Sequence, residues 1–275
     1  MRWTLPALVL VCCGLLGGCG LSEQALQQLA AAHAAHLAGD MEGVIRETDA
    51  FLADNGRSGR AGEAFYFRGS ARFSQAIANS GGDAERLDPA LIVLARADLE
   101  QAVKSNTPDL RGRSALTLGQ LAFDTNDIAT ADRMFRLAIE HVGQDPVMGP
   151  LALYRLGCAL QRQGQWVDAD LQFQKVMHQF PASGPSREAA RRVNATAWTV
   201  QAGSFDSRDD AERAVATLKD EDDSLPVRWV AILEDGASRP RYVVQVGFFA
   251  SHAEAAALRD RVQEYQGDVF VTVTK

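Results

Sequence analysis

The spacing of apolar residues changes once along this chain, near residue 195. From Leu21 to about Asn194, apolar residues recur three or four positions apart, which is the period of amphipathic helices. After that point, short segments alternate apolar and polar residues with the period of two that is typical of strands. The pattern therefore predicts a helical domain at residues 19–194, followed by a small domain of strands and helices at residues 196–275.

Two helical segments repeat in sequence with an offset of 38 residues. The matched positions are Leu118-Gly119 with Leu156-Gly157, Ala131 with Ala169, Phe135 with Phe173, and Ala138 with Val176. Gly and Ala in such a pattern let the two helices of a pair approach closely, while the large residues fill the groove to the next pair. The pattern resembles tetratricopeptide repeats, which implies a TPR-like superhelix. Weaker copies around Gly69 and in residues 26–52 raise the expected number of helix pairs from two to as many as four.

The C-terminal domain contains the same strand–turn–helix unit twice. Residues 198–218 align without a gap with residues 242–262, and the matched positions include Gln201 with Gln245, Gly203 with Gly247, and Phe205 with Phe249. A further strand-like segment follows each unit, at residues 227–233 and 269–273. The order βαββαβ predicts a four-stranded antiparallel sheet with both helices on one face.

Strand alternation also predicts which side chains lie on the sheet face that the helices leave open. Val200 and Val244 are expected to face the helices, so Gln201, Arg241 and Gln245 are expected to face away from them. A Gln on a solvated sheet face can be without function. Its presence at the equivalent place in both copies instead indicates a binding surface, since the amide both donates and accepts hydrogen bonds.

The segments VQAGSF at residues 200–205 and YVVQVGFF at residues 242–249 are each followed by a helix with small and apolar residues in an Ala-x-x-Ala-x-x-x-Leu order. Together they resemble a SPOR domain over residues 196–275. The resemblance implies binding to peptidoglycan, especially to glycan strands without stem peptides, which amidases produce at the division septum.

The resemblance assigns two residues of the first strand to the glycan site and shows two departures in the third strand. Gln201 and Ser204 occupy the positions of the family's strand-one Gln and Ser. In the third strand, Val243 stands where the family commonly has Arg, and Phe248 stands where it has Pro. These departures put the glycan preference in question more than the fold.

Other residues could supply what the third strand lacks. Arg241 lies two residues before Val243 on the same predicted face and could provide the guanidinium, with Arg228 and Trp229 of the second strand as further candidates. Phe270 in the fourth strand could either contact a sugar ring or pack in the core.

The N-terminal residues indicate export and lipidation. Arg2 precedes an uncharged apolar stretch that is too short for a comfortable membrane span and ends in Leu16-Gly17-Gly18-Cys19. This resembles a bacterial lipobox, which implies a signal peptide at residues 1–18 and acyl chains on Cys19. Gly20, in place of an inner-membrane retention Asp, points to the periplasmic face of the outer membrane. An ordinary secretory signal or an uncleaved apolar helix is the alternative.

Composition excludes several classes of partner. The formal net charge is −7, and from Thr196 onward nine Lys and Arg stand against fourteen Asp and Glu, which argues against nucleic acid and acidic lipid. His33 and His36 are the one close pair of histidines and have no third ligand at matching spacing, so we expect neither a metal nor a cofactor. Cys158, the one thiol outside the N-terminal segment, is expected to be a buried apolar residue.

These observations favour a binding protein over an enzyme. The leading hypothesis is a lipid-anchored outer-membrane protein whose C-terminal domain binds glycan strands and could concentrate it at the septum. Its helical repeats would bind an envelope protein that acts in division or wall remodelling. An assembly scaffold with weak or lost glycan binding is the second hypothesis. A wall hydrolase is disfavoured because no paired carboxylates, metal-ligand cluster or Ser/Cys–His arrangement is evident. An RNA-binding ferredoxin-like domain is disfavoured by the acidity and by the lack of paired aromatic residues on the central strands.

Overall fold

The computed structural model describes residues 21–81, 83–233 and 237–274. The predicted signal peptide and Cys19 lie outside this part of the chain. Within the described residues, the N-terminal domain contains nine α-helices: α1 (Glu23–Ala38), α2 (Met41–Asn55), α3 (Ala61–Asn79), α4 (Pro89–Ala102), α5 (Pro108–Asp124), α6 (Ile128–Val142), α7 (Met148–Arg162), α8 (Trp166–Gln179) and α9 (Gly184–Arg192). A short 3₁₀-helix, Ala84–Arg86, lies in the segment between α3 and α4.

The helices form four successive pairs, α1 with α2, α3 with α4, α5 with α6 and α7 with α8, and α9 packs on α7 and α8. Side chains at the helix starts fix several of these boundaries. Ser22, Asp40, Asp127 and Ser183 each accept a hydrogen bond from a backbone N–H of the first turn. The TPR-like arrangement predicted from the 38-residue offset is confirmed, and the number of pairs is the upper end of the predicted range.

The repeated Gly and Phe positions are in contact within each pair. A Cβ placed on Gly119 would lie 2.7 Å from Cε1 of Phe135, and one placed on Gly157 would lie closer still to the ring of Phe173. Both Phe side chains are fully buried. The equivalent contact in the α3–α4 pair joins Gly69 to Leu99. The paired helices can approach this closely because the glycine has no side chain.

We expect Gly157→Ala to destabilise the protein by about 1–3 kcal/mol, because the added methyl group overpacks against the Phe173 ring. Urea unfolding followed by far-UV circular dichroism measures the change. Gly59→Ala is the matched control, since a Cβ at Gly59 meets nothing within 4 Å. A Gly157→Ala variant that is more stable, as the higher helix propensity of Ala alone would predict, would contradict this packing.

The C-terminal domain has the predicted order of elements, and its second and fourth strands lie within one residue of their predicted ends. The elements are β1 (Ala197–Phe205), α10 (Arg208–Glu221), β2 (Val227–Ile232), β3 (Arg241–Phe249), α11 (His252–Gln263) and β4 (Phe270–Thr274). The strands form one antiparallel sheet in the order β2-β3-β1-β4. Helices α10 and α11 cover one face of the sheet, around a core that includes Val200, Ala202, Val244, Val246, Leu218 and Val262.

The doubled sequence unit corresponds to a doubled local structure. Gly203 and Gly247 have positive φ angles of 148° and 70°, which side chains rarely permit. At each position the space of a Cβ is filled by the ring of the Phe two residues later, Phe205 or Phe249. Each unit therefore ends its strand with a glycine that gives room to an aromatic ring on the helix side of the sheet.

The two domains are in contact through aromatic side chains. The ring of Trp198 in β1 lies 5.7 Å from that of Trp166 at the start of α8 and 4.8 Å, edge to face, from that of His252. The connecting residues are held at both ends, because Asn194 N–H donates to Asp170 (3.0 Å) and the N–H of residue 196 donates to the carbonyl oxygen of Thr274 (3.0 Å). The last helix pair and the sheet are therefore joined by a short, hydrogen-bonded connection.

His252 at this junction makes the stability of the folded protein depend on pH. Burial lowers the pKa of His252 to about 4, with further lowering by the positive charges of Arg162, Arg259 and Arg192. In the unfolded chain this imidazole is protonated near pH 6.5, whereas in the folded protein it is protonated only near pH 4. The neutral His252 therefore contributes its full share to the free energy of unfolding above pH 6.5, and that share is lost as the pH falls towards 4.

We expect the free energy of unfolding to drop between pH 7 and pH 4.5 by about 1–2 kcal/mol from this group, after allowance for its partial exposure. Urea unfolding followed by tryptophan fluorescence at both pH values measures the drop. His252→Asn should reduce it by that amount, while His178→Asn, at an exposed position of α8, should leave it unchanged. Identical pH dependence in wild type and His252→Asn would contradict the assignment.

Candidate functional site

The sheet face opposite α10 and α11 carries a row of side chains that crosses all four strands. Arg228 of β2 pairs with Gln245 of β3, Gln245 pairs with Gln201 of β1, and Gln201 pairs with Phe270 of β4. Neighbouring strands are about 4.8 Å apart, so the row is about 14 Å long. We call this surface the open face. Four candidate residues that lie far apart in the sequence are thus brought into one line.

The two glutamines of this row differ in accessibility. Gln201 is partly exposed, whereas Gln245 is only 4% exposed. The Gln245 side chain accepts a hydrogen bond from Nη2 of Arg228 (3.1 Å) and donates through Nε2 to Oγ1 of Thr274 (3.5 Å). The expectation that Gln245 presents a free amide to solvent is therefore wrong, because neighbouring side chains on the same face cover it and use its hydrogen-bonding groups.

Arg228 lies over an aromatic ring that the sequence did not place in the site. Its guanidinium carbon is 3.9 Å from the ring centroid of Phe248, which is 45% exposed. Between β1 and β3 the register shifts, so that Val200 is opposite Val246 but Trp198 is opposite Phe249. Because this irregularity and the positive φ of Gly247 interrupt the alternation of β3, Phe248 reaches the open face. The signal for this in the sequence is the unusual Phe at the family's Pro position.

The Arg241 side chain contacts the first strand. Its Nε donates to Oγ of Ser204 (2.9 Å), and its Nη2 donates to the Ser204 carbonyl oxygen (3.1 Å). Its Nη1 also lies 3.3 Å from a carboxylate oxygen of Asp206, an ion pair that sequence reasoning did not include. The guanidinium is thus placed beside Ser204, and its charge is balanced by a neighbouring acid.

The neighbouring row of the open face is apolar at its centre. Val243, the residue at the family's Arg position, pairs with Ser204 on one side and Val230 on the other and is only 5% exposed. Phe270, at the end of the first row, is 51% exposed. Of the two interpretations of Phe270, the solvent-facing position is the one observed.

Trp229 does not lie on the open face. In the sheet, Trp229 of β2 pairs with Val244 of β3. Its ring lies 5.7 Å from that of Tyr242 and 5.1 Å from the guanidinium of Arg208 at the start of α10. It packs against the core under the helices. Because successive residues of a strand face opposite sides, Arg228 and Trp229 cannot both contribute to one face.

The described residues offer little basis for metal binding or catalysis. No group of three or more His, Cys, Asp or Glu side chains that could hold a metal occurs among them. His33 and His36 instead pack against the ring of Phe67, at 5.7 and 5.3 Å. The hydroxyl of Ser204 on the open face accepts a hydrogen bond from a guanidinium and, in the part of the chain that the structure describes, does not contact a base that could activate it. No helix in the described ranges combines the length and apolar character needed to span a bilayer.

Comparison with known proteins agrees with the geometry of the C-terminal domain. Residues 194–272 match the family model of the SPOR domain. No curated protein matches the chain. Among solved structures, the one titled "Crystal structure of MamA protein" aligns with a TM-score of 0.46 and 18% identity, over 62% of this chain and 89% of that chain. The helical-repeat architecture rests on the helix pairing described above and not on this alignment.

SPOR domains bind peptidoglycan on the periplasmic side of the envelope and act at the division septum. The matched residues include both strand–turn–helix units and nearly all of the four-stranded sheet. The C-terminal part of this chain, residues 194–272, is therefore a SPOR domain that follows a TPR-like helical domain.

Proposed function

We propose that this protein is a non-catalytic outer-membrane lipoprotein that binds glycan strands without stem peptides through the open face of its SPOR domain. The observation that carries the proposal is the row formed by Arg228, Gln245, Gln201 and Phe270. It combines a cation, amide groups and an exposed ring on one surface about as long as a short oligosaccharide.

The chemistry of the open face suits a sugar chain. Gln201 and Ser204 can exchange hydrogen bonds with hydroxyl and acetamido groups, and the exposed ring of Phe270 can pack against the apolar face of a pyranose. Gln245 contributes indirectly, because its hydrogen bond holds the Arg228 guanidinium in place. The excess of acidic residues in the domain disfavours ligands as densely charged as nucleic acid.

The helical domain has a different role in the proposal. Four stacked helix pairs form an extended surface of the kind that helical-repeat proteins use to bind other proteins. We propose that it binds an envelope protein of the division or wall-remodelling machinery. The direct connection through Trp166 and Trp198 would then place that partner at a defined position relative to the glycan.

We expect the double variant Gln201→Ala/Phe270→Ala to weaken binding of the mature protein to amidase-treated peptidoglycan by about 10- to 100-fold, because it removes a hydrogen-bonding amide and an exposed ring. Co-sedimentation with sacculi, before and after amidase treatment, measures this. Tyr265→Ala is the matched control, since Tyr265 is 42% exposed and follows α11, away from the open-face strands.

Two results of this experiment would contradict the proposal. If the wild-type protein binds neither preparation, the open face is not a glycan site, and the assembly-scaffold hypothesis is favoured. If the mature protein releases soluble sugars from the sacculi, it is a hydrolase.

The anchor is tested separately. We expect Cys19→Ser to abolish incorporation of labelled palmitate in bacteria and to release the protein from the membrane fraction, because the acceptor thiol is lost. Cys158→Ser is the control, since Cys158 is buried in the helical domain and 4% exposed. Unchanged labelling of the Cys19→Ser variant would exclude lipidation at this residue.

A further inference from the structure

The two arginines of the open face differ in their electrostatic surroundings. Arg241 has the carboxylate of Asp206 at 3.3 Å. Within the described parts of the chain, no carboxylate lies within ion-pair distance of Arg228, whose one hydrogen bond runs from Nη2 to the neutral amide oxygen of Gln245. A guanidinium has five N–H groups. Arg228 therefore brings an uncompensated positive charge and free donors to a domain that is otherwise acidic.

The Arg228 side chain is nevertheless held in place. One face of the guanidinium packs on the ring of Phe248, with Cζ of Arg228 3.9 Å from the ring centroid. On one edge, Nη2 of Arg228 donates a hydrogen bond to Oε1 of Gln245 (3.1 Å). Gln245 is itself buried and in contact with Thr274. A long side chain that is ordered before binding loses less conformational entropy when it meets a ligand.

One of the two departures from the family pattern in β3 contacts this side chain. Phe248, in place of Pro, supplies the ring on which Arg228 lies. Val243, in place of Arg, instead pairs with Val230, two residues from Arg228 on the same face, and is only 5% exposed. The open face therefore carries two guanidinium groups, that of Arg241 beside the Asp206 carboxylate and that of Arg228 on an aromatic ring.

Building on the proposed glycan binding, we propose that Arg228 on Phe248 binds a carboxylate of the ligand, so that the open face selects glycan whose muramic acid has a free lactyl carboxyl group. In intact peptidoglycan this carboxyl group is joined to the stem peptide as a neutral amide. Hydrolysis of that amide bond leaves a carboxylate on the sugar. A planar guanidinium forms two parallel hydrogen bonds with a carboxylate, an arrangement that neither an amide nor an ammonium group reproduces.

The test compares two soluble ligands of the same length with the full mature protein. One is a GlcNAc–MurNAc tetrasaccharide with free lactyl carboxylates, and the other is the same tetrasaccharide with both carboxyl groups converted to methyl amides. We expect wild type to bind the carboxylate form about 10-fold more tightly by isothermal titration calorimetry. Arg228→Gln should bind both forms equally, and Arg228→Lys should retain only part of the preference.

Further variants separate a binding role from a structural one. Phe248→Leu should reduce the preference for the carboxylate form, because Arg228 loses its support. Arg208→Gln is the matched control, since Arg208 also lies over an aromatic ring, that of Trp229, but at the start of α10 on the helix-covered side of the sheet. It should keep the full preference. Equal melting temperatures of Arg228→Gln and wild type show that the domain remains folded.

The outcomes distinguish this inference from the proposed function. If wild type binds both tetrasaccharides equally, or if Arg228→Gln keeps the preference, the carboxylate assignment is wrong while glycan binding stands. If wild type binds neither tetrasaccharide, the proposed glycan site itself is wrong, and this inference is overturned with it.

Discussion

The packing of an apolar side chain against a glycine is the contact on which both domains depend. In the helical domain, Gly119 and Gly157 give room to Phe135 and Phe173, which sets the distance between paired helices. In the SPOR domain, Gly203 and Gly247 do the same for Phe205 and Phe249 and end the regular part of each strand. A glycine in these places costs backbone entropy on folding, and close packing of a large ring offsets that cost.

The same contact shapes the candidate binding site. Because Gly247 adopts a positive φ, the alternation of β3 is interrupted, and Phe248 lies on the open face while Phe249 packs under the helices. Phe248 then supports Arg228, and Arg228 in turn holds the amide of Gln245. The departure from the family pattern at residue 248 therefore affects a strand that is not adjacent to it in the sequence.

Much of the fold and part of the site could be predicted. The period of apolar residues and the two internal repeats were sufficient for the helix pairs and for the order of strands, because each depends on local geometry and burial. Alternation placed Gln201, Arg241 and Gln245 on the correct side of the sheet. Alternation could not show that Gln245 is covered, because that depends on side chains from β2 and β4. Trp229 was excluded from the site only once the structure placed Arg228, its neighbour in β2, on the open face.

Periodicity and side-chain chemistry are enough to predict the two kinds of domain, the internal symmetry of the second and the residue types available on its open face. Which of those residues are in contact depends on the tertiary structure. The row from Arg228 to Phe270 depends on strand order and register, and the contact of Trp166 with Trp198 and His252 depends on how the last helix pair meets the sheet. Such contacts join residues far apart in the chain, and their distances are set by the packing of the whole molecule.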